Sequence, residues 1–369
     1  YVSGDRTQRW QNAKDAAKVV LDMKDGNELH HTEPVDPETA TEIYINNSLS
    51  RNGGENEMIF GRYYLNSKQE WGGRQGLFNG PNGYNNWAGN TPVQLLIDDY
   101  QMMDGSDFDW NELDENESPY ENRDPRFYAT FLYEGAPWKP RTTETNRERD
   151  PLGQIQTGTY EVVNSEDEIV THFGLDTRNS PIEDWNGSYT GYYVRKFIEP
   201  DPNHVDQNTW QEVPWPAIRY TEIVLNYVEA CIELAEYDEA QDWLNKIRFR
   251  SGMPGITETG DALMERYINE RRVELAFEEH RYYDCRRWMI AESTLGRQAN
   301  GISIIGTLKP GETLSTYRYD PEIYNYSYEV IDIDPGKENR LWLDKMYWMP
   351  IHFDEMNRNS NLIQNPGYE

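Results

Sequence analysis

The chain has 369 residues, 37% of them hydrophobic and 13% aromatic, with a mean hydropathy of −0.92. Lys and Arg number 35 against 65 Asp and Glu, a net charge of −30, which argues against partners built on phosphate backbones or anionic lipid. Such aromatic content also argues against disorder, and the two cysteines, Cys231 and Cys285, form neither a disulfide framework nor a zinc pattern.

Residues 5–24 place Trp10, Ala13, Ala17, Val20 and Leu21 at helical steps, and Gly26 stands where that helix should stop. A strand is expected over 57–64. The region 66–92 contains GLFNGPNGYNNWAGN (76–90), whose glycines and asparagines favour neither helix nor strand. Phe78, Tyr84 and Trp87 nevertheless sit in it, either as plugs for the body of the protein or as a platform for something flat and partly apolar. A helix is expected over 91–105, with Thr91 as cap and Pro92 in the first turn. From 104 to about 215 the chain is irregular, with strands expected at 127–133 and 189–197, and so much loop suggests a binding surface.

Residues 217–236 and 238–250 read as antiparallel helices joined at Tyr237. Tyr227, Ala230, Tyr237, Ala240 and Leu244 follow the packing pattern of tetratricopeptide (TPR) helix pairs. A third helix is expected over 261–290. Its charged residues Glu270, Arg271, Glu274, Glu278 and Arg281 read as a half-buried ion-pair lattice rather than an anion clamp at Arg271 or Arg287. Val273, Ala276, Phe277 and Tyr283 form its apolar stripe, extended by Trp288. Residues 341–351 read as a strand.

No catalytic constellation stands out. The six histidines form no helical metal pair, and His30 and His31, being adjacent, should point apart. Aligned to an EF-hand from Asp107, the acidic stretch 104–118 puts Glu112 at the glycine position and Ser118 at the terminal glutamate position. The match fails, although an irregular structural calcium site stays open beside the reading of a solvated acidic loop. Nucleotide-binding and hydrolase-elbow motifs are absent. Among 65 acidic residues a glycosidase-like carboxylate pair is certain to arise by chance, and nothing singles one out.

The stretches LNKIRFRSGMP (244–254), NERRVELAFEEHRYYDCRRW (269–288) and QNPGY (364–368) together resemble the SusD/RagB family of Bacteroidetes nutrient-binding outer-membrane lipoproteins. TPVQLLIDDYQMMDG (91–105), NRDPRFYATFLY (122–133), YTEIVLNYVEACIEL (220–234) and the helix at 10–23 agree with it. The resemblance implies a mostly α-helical fold, a TPR-like scaffold with long loops and a few short strands forming the ligand face. It implies a single SusD-like domain over 1–369 lacking the family's N-terminal part: a scaffold helix at 1–25, a loop-rich ligand-binding region at 26–215 and a helical region at 216–369. It further implies no enzymatic activity, no cofactor, and a place on the cell surface through a lipid anchor absent from this chain. The expected role is polysaccharide utilisation: binding a glycan, or peptide in some branches, and delivering it to a SusC-like TonB-dependent transporter. A peptide-binding member, a glycoside hydrolase and a TPR adaptor are the competing readings.

Sugar faces stack on aromatic rings while their hydroxyls bond to polar side chains. The candidate ligand-binding residues are therefore Trp71, Arg74, Tyr84, Asn85, Asn86, Trp87, Trp138 and Trp185, with Tyr189 and Tyr192 nearby. Trp10, Trp243 and Trp288 are assigned to the core, and Trp215, between two prolines, to a structural plug.

Overall fold

The computed structural model describes residues 5–23, 27–114, 116–141, 150, 153–314, 319–334, 338 and 340–369. The expected stop at Gly26 lies outside them. The first helix, α1 (Thr7–Leu21), packs against α6 (Tyr220–Glu233), which also packs on α7 (Tyr237–Arg250) and α8 (Gly260–Glu274). Their shared core holds Ala17, Val224, Leu225, Tyr227, Val228, Cys231, Ala240, Leu244, Ile247, Leu263 and Tyr267. This is the helix pair foreseen from periodicity, turning at Ala235 in the left-handed region (φ 58°). Trp243 and Trp288 pack on this core, whereas Trp10 is half-buried outside it, beneath Arg6. Cys231 and Cys285 are buried and free. Among the described residues no helix is long and apolar enough to cross a membrane.

A helix the sequence pattern did not reveal, α2 (Pro37–Leu49), follows. The Asp36 carboxylate accepts the Thr39 amide at 3.0 Å, Pro37 fills the first position, and Ala40, Ile43 and Tyr44 face inward. Next come β1 (Met58–Arg62), α3 (Gln75–Asn79) and α4 (Gln94–Ile97). The helix expected over 91–105 is thus a single turn with Val93, not Thr91, at its start. Beyond it the Arg123 guanidinium takes the Ile97 and Tyr100 carbonyls at 2.6 and 2.7 Å, and Met102 bridges to Arg123.

In α5 (Pro125–Thr130) Asp124 caps and Pro125 opens a helix where a strand was expected; only β2 (Phe131–Leu132) is extended. Then come β3 (Thr159–Val163), β4 (Ile169–Phe173), β5 (Tyr193–Val194) and β6 (Trp215–Arg219). β1 pairs with β6 and β2 with β5, both antiparallel. Trp215 packs on Phe197 beside Leu49 and Val213, as a plug would.

The helix expected over 261–290 is two, α8 and α9 (Arg281–Arg287), because the carbonyls that would continue it are taken elsewhere. Glu274 O accepts from Tyr44 Oη (2.7 Å), Arg219 Nη2 (3.0 Å) and Lys196 Nζ (3.3 Å), and Ala276 O accepts from Lys196 Nζ (3.0 Å). Phe277 (φ 62°) and Glu279 (φ 65°) turn the chain, which leaves Tyr283 exposed rather than on an apolar stripe.

After α10 (Ala291–Thr294), β7 (Asn300–Leu308) and β8 (Tyr324–Asp332) make a sheet of order β4-β3-β7-β8, with β3 and β7 parallel. These nine-residue strands stand inside the stretch expected to be helical. Their Ile302, Ile304, Tyr324 and Tyr326 close a largely aromatic core with Tyr100, Tyr120, Phe127, Phe131, Tyr160 and Tyr192. The strand expected over 341–351 is a 3₁₀ turn, Asp344–Tyr347, before α11 (Phe353–Arg358).

The ion-pair lattice is present but not within one helix. Glu274 meets Arg126, Arg219 (3.1 Å) and Arg250 (2.8 Å). Glu270 meets Arg126 and Arg248 (2.9 Å), Glu278 meets Lys196 (2.7 Å) and Arg219 (2.7 Å), and Glu57 meets Arg219 (2.9 Å) and Arg250. Asp124 completes it against Arg126 at 2.7 Å. Arg271 and Arg287 instead share Asp284, Arg287 also meeting Glu229.

Burial alone would raise the Glu274 carboxyl, but Arg250, Arg219 and Arg126 outweigh it and hold it well below its ordinary value. Its stabilisation is therefore present above the ordinary carboxylate range and is lost as pH falls through the depressed value. Glu274→Gln leaves three guanidiniums short of a charge and should cost about 3–5 kcal/mol in urea unfolding at pH 7. Most of that difference should vanish at strongly acid pH. Glu134 acts in the opposite sense: burial lifts its carboxyl to about 7, against hydrogen bonds from Tyr160, Gly158 and Thr157. Its contribution is complete below the ordinary carboxylate value and fades as pH rises to about 7. Glu134→Gln should accordingly gain stability relative to the parent chain across that interval, read from unfolding midpoints at stepped pH.

Candidate functional site

The loop 66–92 is stitched to itself. The amide of Trp87 donates to Leu77 O at 2.8 Å, that of Ala88 to Gly80 O at 3.2 Å and that of Gly89 to Phe78 O at 2.6 Å. Glycine is required at position 83, where a Cβ would lie 2.2 Å from Asp176 Oδ1 and 2.3 Å from Leu175 O. One side of the loop faces the body. Asn82 is wholly buried, donating to Thr177 O (2.8 Å) and accepting from Tyr193 Oη (2.7 Å).

Three of the eight candidates, Tyr84, Asn86 and Trp138, belong to that inner side or beneath it, as does the nearby Tyr192. Tyr84 is half-buried, donates to Lys139 O at 2.8 Å and lies under Arg141. Asn86 is buried and donates to Asp206 at 3.2 Å. Trp138 is only 8% exposed, packed with Leu132, Ile155 and Ile198, and Tyr192 is sealed in the aromatic core. Asn86, Trp138 and Tyr192 are thus buried supports, and Tyr84 is half-buried with its hydroxyl turned inward. Asn85 is half-buried in the left-handed region (φ 59°), with its carbonyl accepting from Gln207.

The outer side carries rings. Trp71 (60% exposed) stacks on Phe78 with centroids 6.4 Å apart and 2° between planes. Phe78 in turn meets Trp87 (47% exposed) at 5.4 Å. Arg74 lies over both Trp71 (5.5 Å) and Trp210 (4.5 Å) and donates to Gln207 O at 2.9 Å. These are stacked and cation–π contacts that fix ring planes at the surface.

Facing Trp87 is a second wall. The Glu183 carboxylate accepts the amides of Trp185 (2.9 Å) and Asn186 (3.0 Å) and fixes the turn that presents Trp185, 80% exposed. Arg178 lies 3.8 Å over the exposed Tyr189 ring and is held by Gly187 O at 2.9 Å. Trp87, Thr91, Arg178, Trp185, Asn186 and Tyr189 line a cleft of ≈ 350 Å³. Three of the eight candidates, Trp71, Trp87 and Trp185, are therefore exposed rings. Arg178 and Asn186 went unnoticed, since nothing in TRNS or WNG marks them before the chain is folded.

The histidines at 30 and 31 do not point apart: His31 is left-handed (φ 64°) and the rings lie 4.7 Å apart. Among the described residues no group of three or more His, Cys, Asp or Glu is placed to hold a metal ion. In the acidic stretch 104–118, where residue 115 lies outside the described residues, Asp107 accepts from Gln101 (2.8 Å) and Arg266 (3.0 Å).

A crystal structure of a SusD-like protein from Bacteroides fragilis is 28% identical, with TM-score 0.66 over 98% of this chain and 62% of its own. A SusD-like carbohydrate binding protein from the same organism is 22% identical and matches in fold, with TM-score 0.62 over 97% of this chain and 62% of its own. The chain thus spans 62% of the length of either structure. No curated protein matches it. The family model described as SusD family matches residues 48–368, so the helical scaffold and its loops are those of a SusD-like fold and the chain belongs to the SusD family.

Proposed function

We propose that this chain binds an oligo- or polysaccharide at the cell surface and passes it to a SusC-like TonB-dependent transporter of the outer membrane. The observation that carries the reading is the cleft between Trp87 and the Trp185–Tyr189 turn, where exposed rings stand beside Arg178 and Asn186. Beside it Trp71 stacks on Phe78, which in turn meets Trp87. Pyranose C–H faces stack on such rings, and hydroxyls bond to the guanidinium and amide groups at the edges. A related B. fragilis structure carries the description carbohydrate binding, which agrees with this. Stacking and hydrogen bonding require no cofactor and no catalytic group, and none is proposed. Attachment to the membrane would be through a lipid anchor.

Each ring contributes about 1 kcal/mol, so replacing Trp87 and Trp185 together by Ala should weaken glycan binding about 30-fold. Both being exposed, the thermal midpoint should hardly move. Trp138→Ala should behave oppositely, costing about 3–5 kcal/mol of stability through the cavity it opens. The ligand comes from a glycan array and affinities from calorimetry. An array without binding, or a double variant that binds as the parent does, refutes the reading.

A further inference from the structure

The segment that brings Trp87 and Thr91 to the cleft continues through Val93, Leu95 and Leu96 into the wall of a second cavity, of ≈ 310 Å³. Its apolar lining is Leu95, Leu96, Leu275, Ala276, Phe277 and Leu295. Of the charged side chains that line it, Arg271, Arg272, Arg281, Arg297 and Arg340 are cations and Glu279 and Asp284 anions, while Asp99 and Glu338 pair with Arg272 and Arg340 from outside the lining. In a chain of net charge −30 such an excess of cations is a local construction. His280 also lines it, but burial pushes its ring below its usual value, so it is neutral at pH 7.

Three of the five arginines are occupied. Arg271 bonds Asp284 (2.7 Å) and Asn226 (2.9 Å), Arg272 bonds Asp99 and Leu95 O (3.0 Å), and Arg340 bonds Glu338. Arg281 and Arg297 make no hydrogen bond or ion pair among the described residues, and Arg281 Nη1 is sealed from solvent without an acceptor. Burial raises the Asp99 carboxyl by more than the attraction of Arg272, Arg281 and Arg297 lowers it, and among these three only Arg272 bonds it. Arg281 is half-buried and Arg297 exposed where they line the cavity, so an anion entering it meets two guanidiniums that no protein acceptor among the described residues holds.

Guanidinium forks match a planar carboxylate in two-point contact, and leucine side chains suit a C–H face. We infer that this cavity is a subsite for an acidic sugar residue, a uronate whose ring lies against the leucines and whose carboxylate is taken by Arg281 and Arg297. The inference rests on the glycan reading above and adds charge selection to it.

Calorimetry on the 369-residue chain, with digalacturonate, its neutral counterpart galactobiose, and N-acetyl-leucine, tests it. Digalacturonate should bind about tenfold more tightly than galactobiose, an advantage that shrinks as salt is raised. Arg281→Ala with Arg297→Ala should abolish that advantage at an unchanged thermal midpoint, and the paired Lys variants should keep part of it. No preference for the uronate, or a preference that survives the Ala pair, overturns the subsite. N-acetyl-leucine binding as tightly as digalacturonate overturns the sugar as the carboxylate's carrier. The two readings separate on the Trp87→Ala, Trp185→Ala variant: arginine-dependent uronate binding on a chain that takes no neutral glycan would leave this subsite standing without the platform. Neutral glycan binding without uronate preference would do the reverse.

Discussion

Ten buried charges, five of each sign, meet where the two halves of the chain touch. Asp124, Glu57, Glu270, Glu274 and Glu278 balance Arg126, Lys196, Arg219, Arg248 and Arg250. Each would be expensive to dehydrate alone, and the attraction between partners repays that only when none is missing. The consequence is geometric more than energetic. Glu57 and α5 come from the first half, α7 and α8 from the second, and no arrangement that shifts one past the other keeps the charges paired. The same set explains why α8 stops: Lys196 and Arg219 take carbonyls that a longer helix would have used, and the turn through Phe277 and Glu279 follows.

From that junction the path to the binding surface is short. Arg126 fixes α5, α5 runs directly into β2, and β2 pairs with β5, the strand entered from the turn bearing Trp185 and Tyr189. The opposite wall is tied to the same strand, Asn82 reaching inward to Thr177 and to Tyr193 of β5 while Tyr84 reaches Lys139. The asparagine-rich loop therefore has two chemistries. Its amides and the Tyr84 hydroxyl satisfy buried carbonyls, while rings that lack such a partner are left outside.

That division explains which parts were readable in advance. The TPR-like pair shows itself because periodic apolar residues such as Val224, Tyr227, Val228 and Cys231 need only local geometry to align. The ion lattice was legible as a lattice, but its pairings were not, since Glu274 finds partners through folding and not at helical spacing. β7 and β8 escaped notice because their pairing is with each other and with β3, far away in sequence. Trp138 and Trp185 are each flanked by turn-forming residues and look alike as text. What separates them is the company of Leu132, Ile155 and Ile198 around one and a Glu183-capped turn beneath the other. Exposure is a tertiary property, so a list of aromatic candidates mixes supports with contacts.

Weak stacking contacts yield useful affinity only if the rings are in place before the ligand arrives, because ordering them on binding would consume what each contributes. Here that order is built in. Phe78 holds the planes of Trp71 and Trp87, Arg178 holds Tyr189, and Glu183 holds the Trp185 turn. The walls come from segments far apart in the chain, and Asn82 beneath one bonds Thr177 and Tyr193 beneath the other, which fixes their spacing before a ligand arrives.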